Sequence, residues 1–243
     1  MKKILSAVLA LGLSAAALIG VPAQAVGKTL TLGVISGISD WQASSSLMAN
    51  SGPFYQAVYS TLLYQKADGK TLTPGLATVW KYDKTNTLLT LTLRKGVTFT
   101  NGEAFNAAAV VQNVQAYQKG AAADASIKTA MIDTVTAKGT DTVIFKLKFA
   151  SSTLLTYLAH TLGFMQAPST IGTAEAKATP VGCGPFILNK TKTVAGATYV
   201  FDPNPTYWDK AHRNYDNLVI KVIANATAAA NAMKAGDVDA IPI

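Results

Sequence analysis

Apolar and polar residues alternate along several segments of this chain, as they do in β-strands that bury one face. In residues 28–35, Leu30, Leu32 and Val34 fall on one face of a predicted strand. The run 218–223 is nearly all apolar, which predicts a strand buried on both faces. Further strands are predicted at residues 89–93, 132–137, 143–149, 199–201 and 238–241.

Helices are predicted where apolar residues recur every three or four positions. Residues 54–64 have this spacing, with Pro53 in the first helical turn, where proline is tolerated. The preceding segment, 36–52, has no sustained period and is interpreted as a loop or a very short helix. Another helix is predicted at 152–160.

Two further helices begin at asparagines that can act as N-caps. Asn106 precedes a helix whose apolar stripe ends at Tyr117. Asn225 precedes a helix at 226–235, and Gly236 stands where a C-terminal glycine is expected.

Together these elements predict a mixed α/β fold, because strands and helices alternate without a strict βαβ rhythm. The length of 243 residues suffices for one large domain or two small ones. A hydrophobic content of 49% excludes a disordered chain, and a single Cys excludes an internal disulfide.

The first 25 residues have the organisation of a secretory signal peptide. Lys2 and Lys3 precede the apolar stretch 4–21, and Ala23-Gln24-Ala25 has the small-x-small form of a cleavage site. A membrane-spanning anchor is the alternative, since the apolar stretch is nearly long enough to cross a bilayer. The glycine and proline before the small residues favour cleavage, and no Cys follows for lipid attachment. The mature chain is therefore expected in the periplasm.

The positive charge of the chain lacks the clustering that would indicate a nucleic-acid partner. Lys and Arg number 21 against 13 Asp and Glu, a formal charge of +8, and removal of Lys2 and Lys3 leaves +6. The basic residues are spread singly, and only Arg94 and Arg213 are arginines. Nucleic-acid surfaces need clustered cations, preferably with Arg among them. The charge is therefore interpreted as a property of the solvated surface.

Catalytic and metal sites are not supported by the spacing of the candidate residues. Cys183 could be a nucleophile with His160 or His212 as its base, but no pattern supplies an oxyanion site. A small residue packed in a glycine loop is the simpler interpretation of Cys183. No Cys or His lies at metal-ligand spacing, and Asp237 and Asp239 are interpreted as flanking a turn. The sequence predicts a protein that is not an enzyme and has neither a cofactor nor a metal site.

Several short motifs occur in the order in which one protein family has them. The chain resembles the family 5 extracellular solute-binding proteins of peptide and nickel ABC importers, and the motifs cover nearly all of it after residue 25. They are Tyr59–Tyr64 followed by Ala67–Gly69, Pro74–Ala77 with Trp80, Leu93–Phe99 with Asn101, Gly102 and Phe105, Pro180–Phe186, Asn204–Trp208 and Ala235–Asp239.

This resemblance implies a periplasmic-binding-protein fold of type II, in which two α/β lobes close on a ligand. It assigns residues 26–58 and 160–243 to the core of the first lobe, and 59–159 to a subdomain inserted in that lobe. Family members continue past Ala235–Asp239 into a second lobe. We therefore expect a truncated chain whose second lobe is absent and whose ligand cleft has one wall.

The resemblance also implies a function, that of the substrate-binding component of an ABC importer. Such a protein is expected to be a monomer. It captures a peptide or similar small solute, closes about a hinge and delivers the solute to the permease subunits. A nickel chelate or another non-peptide solute is the alternative within the family. A degenerate or sensory fragment without transport activity is a third possibility, and a secreted hydrolase is least favoured. The chain alone is expected to bind peptides weakly or not at all.

Ligand contacts are expected, by the same resemblance, in loops that face the second lobe. Backbone groups there can hydrogen-bond a ligand, and large side chains can supply apolar contact. No arginine lies in these loops, so they are not expected to clamp an anion. Cys183 stands where the family usually has Thr or another small polar residue. The expected ligand-binding residues are Trp41, Asn50, Ser51, Gly52, Phe164, Met165, Gly182, Cys183 and Gly184.

Overall fold

The fold contains two four-stranded sheets, each packed against a helix. The computed structural model describes residues 27–120 and 122–242. The predicted signal peptide, residues 1–25, and the side chains of residues 49 and 50 lie outside this description. The strands are β1 (Thr29–Val34), β2 (Leu63–Gln65), β3 (Leu72–Pro74), β4 (Ala77–Tyr82), β5 (Leu88–Leu93), β6 (Ile132–Lys138), β7 (Thr142–Leu147), β8 (Phe186–Leu188), β9 (Thr198–Pro203) and β10 (Asn217–Val222). The α-helices are α1 (Met48–Val58), α2 (Ala107–Lys119), α3 (Ala125–Thr129), α4 (Thr153–Leu158) and α5 (Ala226–Ala235).

The first sheet has the order β1-β10-β9-β8 and is covered by α1. Strand β1 runs parallel to β10, and the other pairs are antiparallel. Phe54 of α1 packs edge-on against Tyr199 of β9, with the ring centroids 4.9 Å apart. Trp41 packs edge-on against Phe54, Tyr199 and Phe201, each about 6.1 Å away. The core of this sheet is therefore mainly aromatic.

The second sheet has the order β4-β5-β7-β6 and is antiparallel throughout. Its alternating pattern buries Leu89, Leu91 and Phe145 completely, against Val110 and Val114 of α2. The hairpin predicted at residues 132–149 is confirmed as β6 and β7. The short strands β2 and β3 form a separate two-stranded sheet.

Both predicted asparagine N-caps are confirmed. The Asn106 side chain accepts a hydrogen bond from the Ala109 N–H, at 3.0 Å, and the Asn225 side chain accepts one from the Ala228 N–H, at 2.9 Å. Helix α5 ends at Gly236, whose φ of 79° lies in the left-handed region that favours glycine. Local capping chemistry thus set the bounds of α2 and α5.

The helix predicted at 54–64 is wrong in its bounds, because α1 spans Met48–Val58 and Pro53 lies inside it. The Val58 carbonyl accepts a hydrogen bond from the Gly184 N–H, at 2.9 Å, and the chain then becomes extended at Tyr59. Buried apolar residues continue to Leu63, but they lie in a loop and in β2. A tertiary contact therefore ends the helix where the sequence pattern does not.

Two expectations about the end of the chain are also corrected. Strand β10 is not buried on both faces: Leu218 and Ile220 are buried, whereas Val219 is half-buried. The strand predicted at 238–241 reduces to a single parallel bridge between Ala240 and Leu32. The cause in β10 is that the aromatic core lies on one face of the first sheet.

The predicted division of the chain into lobe core and inserted subdomain stays a prediction. The second sheet lies wholly within 59–159, and the first sheet lies wholly outside it. The hydrophobic cluster around α2 nevertheless includes Leu162, Met165 and Cys183, which come from beyond residue 159. The packing thus crosses the predicted boundary.

A buried network of side-chain amides ties the segment before α1 to helix α2. Asn113 and Gln166 pair in both directions: the Gln166 N–H donates to the Asn113 Oδ1 at 2.9 Å, and the Asn113 Nδ2 donates to the Gln166 carbonyl at 2.8 Å. The Gln166 side chain then accepts from the Ala43 N–H and donates to the Gln42 side chain. These amides are at most 6% exposed, so their hydrogen bonds offset the cost of burying them.

No helix among residues 27–120 and 122–242 combines the length and the apolar character that crossing a bilayer would require.

Replacement of Asn113 by Leu is expected to lower the free energy of unfolding by about 2–4 kcal/mol, because it leaves the buried Gln166 N–H and carbonyl without partners. Chemical denaturation measures the change. The matched control is Gln112→Leu, an exposed position on the same helix, which should change stability by less than about 0.5 kcal/mol. Equal effects of the two substitutions would contradict a stabilising role for the amide network.

Candidate functional site

A pocket of about 710 Å³ lies where the end of α1, the β2-β3 pair, the end of α4 and residues 207–212 meet. Four Tyr and Phe rings line it, together with seven polar side chains, two prolines and an alanine. Its lining residues are Gln56, Tyr59, Thr61, Tyr64, Gln65, Thr73, Pro74, Ala159, His160, Phe164, Pro185, Tyr207, Asp209 and His212.

The β2-β3 pair forms one wall, and its turn is held by Asp68. The Asp68 carboxylate accepts hydrogen bonds from the Thr71 hydroxyl and from the Thr71 and Lys70 N–H groups, which lowers the pKa of this carboxyl to about 2. The turn brings β3 back antiparallel to β2, with Tyr64 opposite Thr73. Gln65 and Thr73 are thereby fixed at the rim of the pocket.

A stack of flat side chains packs against Tyr64, a residue of β2 in this wall. Tyr64 stacks on Trp208 with an interplanar angle of 11°, and the Arg94 guanidinium lies 4.2 Å from the centroid of the Trp208 ring. The Trp208 Nε1 donates to the Ser60 hydroxyl, at 3.1 Å. The hydroxyls of Tyr64 and Tyr207 are 3.4 Å apart. Burial raises the pKa of both tyrosines, so their hydroxyls are neutral.

Two histidines reach the pocket from distant parts of the sequence. The His160 Nε2 lies 2.8 Å from the Gln65 Oε1, which can only accept, so Nε2 carries the proton and Nδ1 has a free lone pair. Burial, assisted by the nearby Lys128, lowers the pKa of His160. The His212 Nδ1 lies 2.6 Å from the Asp209 carboxylate, which leaves its Nε2 as the outward nitrogen. His212 is 80% exposed and lies at the rim.

The pocket lining has no Lys or Arg and a single carboxylate, Asp209. Both arginines are engaged elsewhere: the Arg94 Nε donates to the Gly75 carbonyl at 3.3 Å, and the Arg213 guanidinium donates to the Asn204 carbonyl at 2.9 Å. A chain with a net positive charge thus has a pocket without Lys or Arg. Such a lining suits neutral or cationic groups better than anions, because an anion would lose water there without meeting a Lys or Arg and would lie close to the Asp209 carboxylate.

Of the residues predicted from the resemblance, Phe164 lines this pocket. It is 2% exposed and stacks on Tyr55, with the centroids 5.9 Å apart. Trp41 is 4% exposed and lies in the aromatic core, where its carbonyl accepts from the Tyr59 hydroxyl at 2.5 Å. Contact of either side chain with a solute stays a prediction.

Asn50, Ser51 and Gly52 lie in the first turns of α1 rather than in a loop. The side chain of Asn50 is outside the described part of the structure. The Ser51 hydroxyl donates to the Leu47 carbonyl, at 2.9 Å, and Gly52 lies beside Met48. These three residues are not part of the pocket lining, and their role in binding stays a prediction.

The other predicted residues surround the junction between the two hydrophobic clusters. Met165 and Cys183 are buried. Gly182 and Gly184 press against the end of α1, where a Cβ on Gly182 would lie 2.0 Å from the Val58 carbonyl oxygen. These residues pack against the end of α1 and the residues that follow it, next to pocket-lining Tyr59 and Thr61. Contact of these four residues with a solute also stays a prediction.

Sequence reasoning missed most of the pocket lining because the residues are brought together only by the fold. His160 and His212 are far apart in the sequence, and this separation concealed that they line the same pocket. Tyr64 and Tyr207 belong to the motifs of the family resemblance, which was the one signal that could have found them. Among the described residues, no group of three or more His, Cys, Asp or Glu could hold a metal ion.

The sequence profile of the bacterial extracellular solute-binding proteins, family 5 Middle, matches residues 71–243. The nickel-binding periplasmic protein of Escherichia coli K12 is 32% identical over 188 residues, which are 75% of this chain and 35% of that protein. Protein XP55 of Streptomyces lividans is 29% identical over 189 residues, 75% of this chain and 33% of that protein. The chain therefore spans about a third of the length of these relatives.

Two solved structures superpose on most of this chain. NikA from Brucella suis in complex with Fe(III)-EDTA superposes with a TM-score of 0.73 at 28% identity, over 86% of this chain and 42% of that one. The murein tripeptide binding protein MppA of Escherichia coli superposes with a TM-score of 0.78 at 22% identity, over 88% and 45% of the two chains.

The Cys183 thiol is expected to be unreactive in the folded protein, because it is 1% exposed and burial raises its pKa to about 12. Ellman's reagent at pH 8 should modify it only after denaturation. A Ser39→Cys variant, at an exposed loop position, provides the control and should add one thiol that reacts at once. Rapid stoichiometric modification of the unaltered native chain would show that the thiol is accessible and would reopen a nucleophilic role.

Proposed function

Since the chain belongs to the bacterial extracellular solute-binding proteins of family 5, we propose that it is the substrate-binding component of an ABC importer. It captures a peptide or similar small solute outside the inner membrane and delivers it to the permease. The chain spans less than half of the related structures, so this role is proposed from the family and from the pocket. The predicted signal peptide and periplasmic location are part of the proposal.

The observation that carries the proposal is the pocket between α1, the β2-β3 pair and residues 207–212. Its volume of about 710 Å³ falls in the range of small-molecule sites. Tyr64, Tyr207 and Phe164 offer apolar surface, while Gln56, Gln65 and Thr73 offer amides and a hydroxyl. This mixture suits a peptide, which presents both side chains and main-chain amides.

A nickel chelate is the second candidate, and the two histidines favour it. His160 has a free Nδ1, and His212 is oriented by Asp209 in the manner of a carboxylate-supported metal ligand. Two imidazoles cannot complete a coordination shell, so a small chelator would have to supply the remaining ligands. The relative from Escherichia coli K12 is a nickel-binding protein by name.

Weak but saturable binding of a dipeptide is expected for this chain, because a pocket with an exposed rim buries only part of the solute. Titration with Ala-Phe, followed by NMR chemical shifts, should give a dissociation constant of about 1 mM, or roughly −4 kcal/mol. His212→Ala should weaken binding, whereas Lys210→Ala, an exposed neighbour outside the pocket, should not.

Shifts that never saturate, or that miss the pocket, would count against the proposed site. A micromolar constant from calorimetry would overturn the expectation of weak binding. Tighter binding of a nickel complex of L-histidine than of the dipeptide would favour the second candidate.

The sign of the solute charge should also matter, because Asp209 is the one carboxylate in a lining that has no Lys or Arg. Ala-Phe amide, a cation, should bind roughly fivefold more tightly than N-acetyl-Ala-Phe, an anion, since a partly exposed pair contributes up to about 1 kcal/mol. Asp209→Asn should remove most of this difference. Asp237→Asn, on the exposed surface away from the pocket, should leave it unchanged, and tighter binding of the anion would refute the charge argument.

A further inference from the structure

One face of the second sheet is not covered by any helix of the described residues. Helix α2 packs on the opposite face, and the side chains that alternate outward remain accessible. Val79 is 57% exposed and Leu88 is 38% exposed, although both lie within or at the start of a strand. We call this surface the open sheet face and define it by Val79, Lys81, Leu88, Lys138, Ile144 and Lys146.

The strand register places these residues side by side. Lys81 of β4 lies opposite Thr90 of β5, and Thr90 lies opposite Ile144 of β7. Leu88 lies opposite Lys146 in the neighbouring row. The face is therefore an open four-stranded surface on which lysines alternate with apolar residues and threonines.

Positive charge is concentrated in this part of the chain. Residues 59–159 have eleven Lys and Arg against six Asp and Glu, a formal charge of +5, whereas residues 160–243 have seven against six. Lys81, Lys138 and Lys148, the last just beyond the end of β7, are exposed and have no carboxylate partner among the described residues. Lys146 pairs with Asp133, at 2.8 Å.

The acidic residues of the same region offset part of this charge, but they number only six against eleven Lys and Arg. Asp68 and Asp83 hold turns, and hydrogen bonds from a threonine hydroxyl and from backbone N–H groups lower the pKa of each carboxyl. Asp124 pairs with Lys128, and Asp141 pairs with Lys95. The net charge of residues 59–159 thus stays positive, and the exposed lysines of the open sheet face present part of it to the surroundings.

We propose that the open sheet face docks on an anionic membrane surface. Lysines attract the phosphate groups of an anionic leaflet, and Val79, Leu88 and Ile144 supply apolar contact with the headgroup region. The face has a concavity of about 400 Å³ beside Val79, Lys81 and Leu88. Its lysines are spread singly and include no arginine, which suits the diffuse negative charge of a bilayer better than a nucleic acid.

Docking in this orientation does not depend on solute binding. The pocket is built from α1, the β2-β3 pair, α4 and residues 207–212, and it shares no residue with the open sheet face. A membrane assay can therefore fail or succeed whatever the solute proves to be.

The test is cosedimentation of the full chain with vesicles at low ionic strength. Vesicles of phosphatidylethanolamine with phosphatidylglycerol should bind the chain, and vesicles of phosphatidylcholine alone should not. Each lysine near an anionic leaflet changes partitioning about fivefold, so the double variant Lys81→Glu/Lys138→Glu should lose about 25-fold or more. Binding should weaken as salt is raised to about 0.15 M.

The matched control is Lys190→Glu/Lys192→Glu, which makes the same change in net charge on the exposed turn between β8 and β9. It should change partitioning by less than about threefold, since charges beyond a Debye length are largely screened. Circular dichroism of each variant checks that the fold is intact.

Three results would overturn the proposal: no binding to phosphatidylglycerol vesicles at low salt, equal losses in the two double variants, or equal binding to phosphatidylcholine. Saturable binding of soluble polyglutamate to the open sheet face, without binding to vesicles, would likewise overturn it and would identify an acidic protein as the partner.

Discussion

The close approach of the loop at Gly182–Gly184 to the end of α1 is the contact on which the rest of the structure depends. Only glycine fits at position 182, because a Cβ there would overlap the Val58 carbonyl. The Gly184 N–H ends the helix by donating to this same carbonyl. The Ser60 hydroxyl donates to the Cys183 carbonyl, at 3.0 Å, and accepts from Trp208. The aromatic wall of the pocket is thus anchored, through Ser60, to a loop whose two glycines tolerate no side chain.

Local chemistry made much of the fold predictable from the sequence. The caps at Asn106 and Asn225 and the alternation in β5 and β7 act within a few residues, and each prediction based on them is confirmed. The family resemblance is confirmed by the profile match. The mixed α/β fold is confirmed by the structure and by its superposition on a solved structure. The prediction that the chain is not an enzyme is confirmed by the family, which consists of solute-binding proteins. The bounds of α1 could not be predicted, because the glycine loop that ends it lies more than a hundred residues away in sequence. The pocket lining was hidden for the same reason: His160 meets Gln65 across 95 positions.

Charge is distributed so that the two candidate surfaces do not compete. The pocket has no Lys or Arg in its lining, and the two arginines nearby are held by backbone carbonyls. The lysines of the open sheet face lie on the other side of the second sheet from α2. A solute that carries an amine would therefore meet no unpaired lysine in the pocket lining, and an anionic surface would be attracted to a different part of the molecule.

The parallel pairing of β1 with β10 has a consequence for how the molecule folds. It joins segments far apart in sequence, as in the hydrogen bond from the Lys28 N–H to the Asp216 carboxylate, which spans 188 positions. The second sheet and α2 are formed within residues 77–147, so their chain closures are shorter and cost less entropy. During synthesis the second sheet can assemble as soon as β7 is available, whereas β1 and α1 must wait for β9 and β10 before their aromatic residues are covered. The N-terminal segment therefore reaches its native place after the second sheet.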